Sequence, residues 1–388
     1  MKYPKFLPEH GTIGFIAPSF GCNIEPYHSA FRNALKNFEH MGYQTQLGPN
    51  VYEGSGIGIS STPQSCAKEI MDYYCTKGND VLISCGGGEL MCEDLNHVDF
   101  DLLKDADPKW FLGYSDNTNL AFTLTTLCDT ATIYGPCAPA FGMEPWHPSL
   151  HDAFGILTGS AAHSAGSDCP RITIHGYDLY ETESKKDAEH PLEPYHVTEP
   201  CRRIGYRPAM IEAQSPVNLT AAAEDAVCPT RFNPPVHTER PALIPAQDIR
   251  MEGRLIGGCL DTLVNLLGTR FDRVSAFQER YKEDGILWFL EACDLNVMSI
   301  RRAIWQMEAA GWFRHTKGVL VGRPYHHGEE AFGLDQYHAV TDLLAPYQIP
   351  VIMDLDIGHI PPMMPLILGS YATAELSGND FSIQMELR

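Results

Sequence analysis

Basic residues are scarce in this chain: 28 Lys and Arg stand against 49 Asp and Glu, a formal net charge of −21. A field of that sign repels a phosphate backbone instead of gathering counterion-releasing contacts along it, which argues against nucleic acid polymer as a partner. No apolar run approaches the roughly 18 residues that cross a bilayer. The start, MKYPKFLPEHGTIGFIAPS, lacks a basic region followed by an apolar stretch and a cleavage site. The expectation is a cytoplasmic protein with no membrane role. Twelve cysteines are present, but none form a C-x-x-C pair or a zinc-ligand spacing, so they read as reduced thiols. There is no G-K-[ST] after the glycines of Gly54-Ser55-Gly56-Ile57-Gly58, which therefore read as a loop and not a phosphate cradle. There is no H-E-x-x-H either, so His326 and His327 with Glu329 and Glu330 read as a solvated loop. No metal and no cofactor are expected. Internal repeats and low-complexity tracts are also missing.

What is present is ample packing material: 44% hydrophobic and 10% aromatic residues over 388 positions, too many for one ordinary domain of about 100 to 200 residues. An apolar run at 12–17 is followed by Phe31, Ala34, Leu35, Phe38 and Met41 at helical spacing, closed by Gly42. Ser61-Thr62-Pro63 opens a second helix, and the strand 80–84 runs into Gly86-Gly87-Gly88. A third strand, 110–113, leads through Tyr114-Ser115-Asp116 into a helix over 117–128. This alternation predicts an α/β domain over 1–160 with a mostly parallel sheet and functional loops at strand carboxyl ends. Eleven prolines between 159 and 250 break the periodicity, so 161–250 reads as linker and elaborated loops. Regularity returns over 251–388, with strands at 254–257, 286–290, 318–321 and 350–353, helices at 260–267 and 299–308, and two late β-type runs.

Three strand ends in this pattern carry reactive groups. Ser115 sits where an apolar strand meets a helix, so that a tight turn can expose its hydroxyl as a nucleophile; equally, it can cap the helix. A weak alcohol needs a base, and an imidazole base needs a carboxylate to fix its tautomer. His359, in the Gly-His-Ile-Pro-Pro turn, and Glu291, at the end of Ile286-Leu287-Trp288-Phe289-Leu290, suit those roles. Bare amides in the glycine run, at Gly86 and Gly87, with the amide of Asp116, can face a reacting carbonyl oxygen; a plain tight turn explains the glycines as well. Arg202, Arg203 and Arg207 are candidate carboxylate ligands. Trp146 is a candidate surface for stacking a nucleobase.

Taken in order, Gly11-Thr12-Ile13-Gly14-Phe15-Ile16-Ala17-Pro18-Ser19, Gly113-Tyr114-Ser115-Asp116-Asn117-Thr118, Gly257-Gly258-Cys259-Leu260, Leu287-Trp288-Phe289-Leu290-Glu291 and Gly358-His359 resemble the LD-carboxypeptidase family of serine peptidases, which includes the microcin C immunity peptidases. The resemblance implies a Ser115-Glu291-His359 triad and an oxyanion hole at the glycine run and Asp116. It also implies a flavodoxin-like amino-terminal domain, a swivelling β-barrel-like α/β second domain, a site in the cleft between them, and a homodimer. The chain departs from the family in having Cys85 before the glycines, where an arginine is common, and Ala292-Cys293 between Glu291 and Asp294. Gly257-Gly258-Cys259-Leu260-Asp261 and Ala310-Gly311-Trp312-Phe313 look like the microcin-immunity branch. The expected substrate is thus a small peptide or a peptidyl (aminoacyl) nucleotide, with the muropeptide stem of cell-wall recycling as the alternative. A noncatalytic two-domain binding protein is the reading from a different class.

Overall fold

A computed structural model describes residues 1–163, 169–209 and 242–388. The first apolar run forms the strand Thr12–Ile16, and the helical spacing after it forms the helix Tyr27–His40. That helix buries Ala30, Phe31, Ala34 and Phe38, with the Phe31 ring 5.3 Å from that of Phe15 on the strand. The chain turns away at Gly42, whose φ of 91° lies in the left-handed region where a side chain would be strained. The helix Pro63–Cys75 starts as its sequence indicates, with Pro63 in the first turn and Thr62 Oγ1 accepting from the Ser65 amide at 3.2 Å.

The strands Gln44–Leu47, Thr12–Ile16, Val81–Ser84, Phe111–Gly113 and Thr132–Tyr134 lie side by side in that order, all parallel. This is the 2-1-3-4-5 order of flavodoxin-like sheets, which offer ligand sites beyond the strand carboxyl ends. A sixth strand, Leu366–Leu368, pairs antiparallel with Thr132–Tyr134, so the last part of the chain returns to finish the first sheet.

Among the described residues the second sheet has ten strands. At its centre Val351–Leu355, Thr316–Gly322, Ile286–Glu291 and Asp248–Cys259 are parallel neighbours. Every residue of Ile286–Glu291 is buried, as expected for a strand covered on both faces. Antiparallel strands Tyr371–Ser377, Asp380–Glu386, Arg171–His175 and Ala162–His163 extend one side, and Ile204–Pro208 and Leu243–Ala246 the other. The barrel-like domain implied by the resemblance thus takes the form of a mixed ten-stranded sheet.

Part of the segment read as linker and loops supplies strands to this sheet; residues 164–168 and 210–241 of it lie outside the described residues. The strands are short, and the prolines mark their limits. Pro208 ends Ile204–Pro208, and Pro245 lies in the outermost strand, where a missing N–H costs no ladder bond; Pro200 ends Val197–Pro200, which pairs with Leu179–Glu181 in a separate two-stranded sheet. Alternation is clear in Arg171–His175, where Ile172 and Ile174 point inward, and resumes at 248–250, where Ile249 is buried.

The two sheets meet along the helix Thr118–Thr126, every residue of which is buried. Its Phe122 ring stacks at 5.6 Å on Trp312 and at 6.2 Å on Trp288, and Thr118 Oγ1 accepts from the Cys259 amide at 3.1 Å. Each buried aromatic contributes roughly 1.5–3 kcal/mol, whereas an exposed ion pair gives about 1 kcal/mol at most. Apolar packing therefore fixes how the halves sit. Among the described residues no helix is long and apolar enough to cross a membrane.

Candidate active site

The strand Phe111–Gly113 passes through extended Tyr114 into Ser115, which has a φ of 62° and begins the 3-10 turn Ser115–Asn117. An L-residue held there costs about 1 kcal/mol or more, so neighbours must enforce it. The Ser115 amide donates to the Tyr134 hydroxyl at 3.3 Å. Asn117 Nδ2 donates to the carbonyls of Tyr114 at 3.0 Å and Gly86 at 2.7 Å. Asp116 is buried and anchors the turn from below, accepting from Ser19 Oγ at 2.6 Å, the Met91 amide at 3.0 Å and Asn119 Nδ2 at 2.8 Å. Burial pushes the Asp116 carboxyl up to about 6 against those bonds, which favour its charged form.

Ser115 does not cap the helix: neither the 3-10 turn nor the helix Thr118–Thr126 has a side-chain cap. Its Oγ instead lies 2.9 Å from His359 Nε2, and His359 Nδ1 lies 2.9 Å from Glu291 Oε2. The second carboxylate oxygen, Oε1, accepts from the Tyr134 hydroxyl at 2.5 Å. Tyr114 covers one side of the imidazole, ring centroids 5.0 Å apart. The three groups come from the carboxyl ends of Phe111–Gly113, Ile286–Glu291 and Val351–Leu355 or the turns just after them, so parallel strands of both sheets aim their ends at one place.

Burial alone would lower the imidazole, but the Glu291 carboxylate outweighs it, with help from the Cys293 thiol, and holds His359 well above its ordinary value. Burial alone would raise Glu291. The His359 imidazolium, with hydrogen bonds from His359, Tyr134 and the Cys259 thiol, instead holds its carboxyl below the usual value. Each partner favours the charged form of the other, so the two titrate as a pair. A hydroxyl, an imidazole and a buried carboxylate in this order can move a proton off the hydroxyl and stabilise the imidazolium that results.

The glycine run packs against the same turn. A Cβ on Gly87 would stand 3.1 Å from Ser115 Cβ and 3.2 Å from its Oγ. Because the Gly86 carbonyl is turned toward Asn117, the N–H of Gly87 in the same trans peptide points the opposite way.

Other candidates do not join the group. Trp146 donates its indole N–H to the Phe141 carbonyl at 2.8 Å and is half-buried among Phe38, Phe141 and Phe154, edge-to-face with each. Arg203 is buried on Asp356 at 2.6 Å, which occupies the fork that a substrate carboxylate would need, while Arg202 and Arg207 are exposed. His326 pairs with Glu329 at 2.8 Å, and His327 faces Asp354 at 3.8 Å, so the two imidazoles serve different carboxylates. Tyr134 and Ser19 escaped the sequence reading. Tyr134 ends a parallel strand just as Gly113 does, and that position was the available signal.

With the geometry established, comparison with known proteins is direct. The LD-carboxypeptidase N-terminal domain matches residues 13–135 and the LD-carboxypeptidase C-terminal domain matches 252–374. The chain belongs to the LD-carboxypeptidase family. Ser115 lies in the first matched segment, Glu291 and His359 in the second. The probable murein peptide carboxypeptidase of Bacillus subtilis (strain 168) is 24% identical, over 95% of this chain and 90% of its own length. The microcin C7 self-immunity protein MccF of Escherichia coli is 22% identical, over 96% and 92%. The solved structure of MccF in complex with glutamyl sulfamoyl guanosine superposes with a TM-score of 0.74 at 19% identity, over 98% of this chain and 97% of that one. LD-carboxypeptidase relatives thus include both a murein peptidase and an immunity protein.

Proposed function

We propose that the protein is a serine carboxypeptidase or amidohydrolase in which Ser115 is the nucleophile, His359 the general base and then acid, and Glu291 the group that orients and charges His359. The observation that carries this is the unbroken chain from Ser115 Oγ through His359 to Glu291, with both contacts at 2.9 Å. Ser115 Oγ attacks the substrate carbonyl as its proton passes to His359 Nε2. The amide N–H groups of Gly87 and Asp116 stabilise the developing oxyanion. The C–N bond then breaks, the leaving amine takes the proton from the imidazolium, and water, deprotonated by His359, releases the acyl group from Ser115.

The substrate we favour is a peptidyl or aminoacyl nucleotide, supported by likeness over nearly the full chain to MccF, whose structure holds glutamyl sulfamoyl guanosine. The muropeptide reading is supported by the Bacillus subtilis relative at similar identity. Incubation with a sulfamoyl-adenosine aminoacyl analogue and with a muramoyl tetrapeptide, followed by product mass measurement, separates the two. Labelling with a fluorophosphonate tests the mechanism: the wild type is modified and Ser115→Ala is not. Equal labelling, or none in either, would leave only a binding protein. The same reading makes the chain a cytoplasmic homodimer, for which sedimentation equilibrium is the check.

A further inference from the structure

Tyr134 is wholly buried at the end of the strand Thr132–Tyr134, directly beside Gly113 in the sheet register. Its ring is held edge-on to Tyr114, centroids 6.3 Å apart, and lies 5.2 Å from Phe289 in the strand that carries Glu291. Its hydroxyl is hydrogen-bonded to both the backbone N–H of Ser115 and the carboxylate of Glu291. A phenol has one proton to give. Glu291, ionised through its pairing with His359, cannot donate, so the Tyr134 proton goes to Oε1 and its oxygen accepts from the Ser115 amide. The hydrogen bonds therefore close a ring: the Ser115 amide donates to Tyr134, Tyr134 and His359 Nδ1 both donate to Glu291, and His359 Nε2 meets Ser115 Oγ.

We infer that Tyr134 is a positioning residue for the proposed hydrolysis, holding the Ser115 backbone in its left-handed conformation and setting how much of the Glu291 charge His359 feels. The inference rests on the triad reading above. Two consequences follow from removing the hydroxyl. The Ser115 N–H loses a buried acceptor, which loosens the turn that aims Oγ. Glu291 also loses a donor, so its charge bears undivided on His359, the imidazolium is favoured further, and the neutral base appears at higher pH. The groups that set this titration are those facing the pair: Tyr134, Cys259 and His359 on Glu291, and Glu291, Ser115, Tyr114 and Cys293 on His359. Burial and the nearby carboxylate keep the phenol itself protonated across the working range.

The test compares Tyr134→Phe with Ser115→Ala in the full chain, using the fluorophosphonate labelling rate and, with whichever substrate turns over, kcat and KM across pH. Tyr134→Phe is expected to lower the labelling rate and kcat by about 10- to 100-fold, the scale of one hydrogen bond to a charged group. KM should be nearly unchanged and the acid limb should move to higher pH. A ring-fluorinated tyrosine at position 134 keeps the hydroxyl but makes it a stronger donor, and should move the limb the other way; this holds even if the phenylalanine variant folds poorly. Wild-type rates and an unmoved limb in both replacements would overturn the inference while leaving the triad intact. A Ser115→Ala protein that labels normally would instead remove the reading beneath it.

Discussion

Gly358 stands where a side chain would strike Glu291: a Cβ built on it would lie 2.5 Å from Oε2 and 2.9 Å from Cβ of that residue. Its φ of 108° adds a conformation that L-residues avoid. The residue before His359 is thus glycine because the carboxylate that orients the imidazole fills the space. Gly358→Ala is expected to push Glu291 and His359 apart, and a misplacement of about 1 Å costs on the order of 100-fold in rate. Turnover by the purified variant, with circular dichroism to confirm folding, is the check. Retention of full activity would mean that the Glu291–His359 contact is not needed.

The charge pairing of that contact fixes a pH profile. In the proposed mechanism His359 must be neutral to act as base, and the Glu291 carboxylate holds its pKa well above the ordinary imidazole value. Activity is therefore expected to be absent in acid and to rise through a limb centred above the usual histidine range. In Glu291→Gln the attraction goes and burial remains, so the limb should shift to lower pH while kcat drops by about 10³- to 10⁴-fold, the scale of losing a triad carboxylate. A kcat/KM profile of both proteins tests this, and an acid limb that stays in place would show that Glu291 does not control His359.

Ser115, Glu291 and His359 were legible as candidates because each lies at or shortly after the end of an apolar run that reads as an interior strand, and the family resemblance singled them out from there. Tyr134 was not, because its strand is three residues long and its role depends on a contact with Glu291 across the seam, which no local pattern encodes. Leu366–Leu368 shows the same limit: its apolar run reads as a strand, yet nothing in it says that it pairs with Thr132–Tyr134 of the first sheet and not with its sequence neighbours. Trp146 shows a related limit. A loop tryptophan looks the same in sequence whether it stands free or is half-buried among rings such as Phe38, Phe141 and Phe154.

Asp94 sits fully buried near Asp116, and neither of its carboxyl oxygens has a hydrogen-bond partner. Burial first, then the charges of Asp116, Glu93 and Glu69, push it up to about 9. In the unfolded chain it titrates at the ordinary aspartate value, so between that value and about 9 the folded state binds more protons. The contribution of this group to stability is thus complete in acid and declines as pH rises through the window. Asp94→Asn keeps the shape and removes the titration. Its melting temperature relative to wild type should climb steadily from pH 4 to pH 9, and parallel melting curves for the two proteins would refute the assignment.

Asp356 lies two residues before Gly358 and is entirely buried between two guanidinium groups, with Arg203 Nη2 at 2.6 Å and Arg323 Nη2 at 3.1 Å. It also accepts from the Tyr177 amide at 2.9 Å, and its carbonyl accepts from the Met364 amide at 2.6 Å. Desolvating three charges is costly, so the cluster as a whole adds little net stability. Removing one member is another matter, because Asp356→Ala leaves two buried cations with no counter-charge. A loss of about 3–5 kcal/mol is expected, the scale of breaking a buried pair. Arg203 joins Asp356 to the strand Ile204–Pro208, and Tyr177 joins it to the segment after Arg171–His175, so the loss should loosen the turn that presents His359 before the whole chain unfolds. Urea denaturation followed by tryptophan fluorescence, alongside turnover at each urea concentration, measures both. Activity in Asp356→Ala should fail at lower urea than the fluorescence transition, and coincident transitions would show that the cluster supports the fold alone and not the placement of His359.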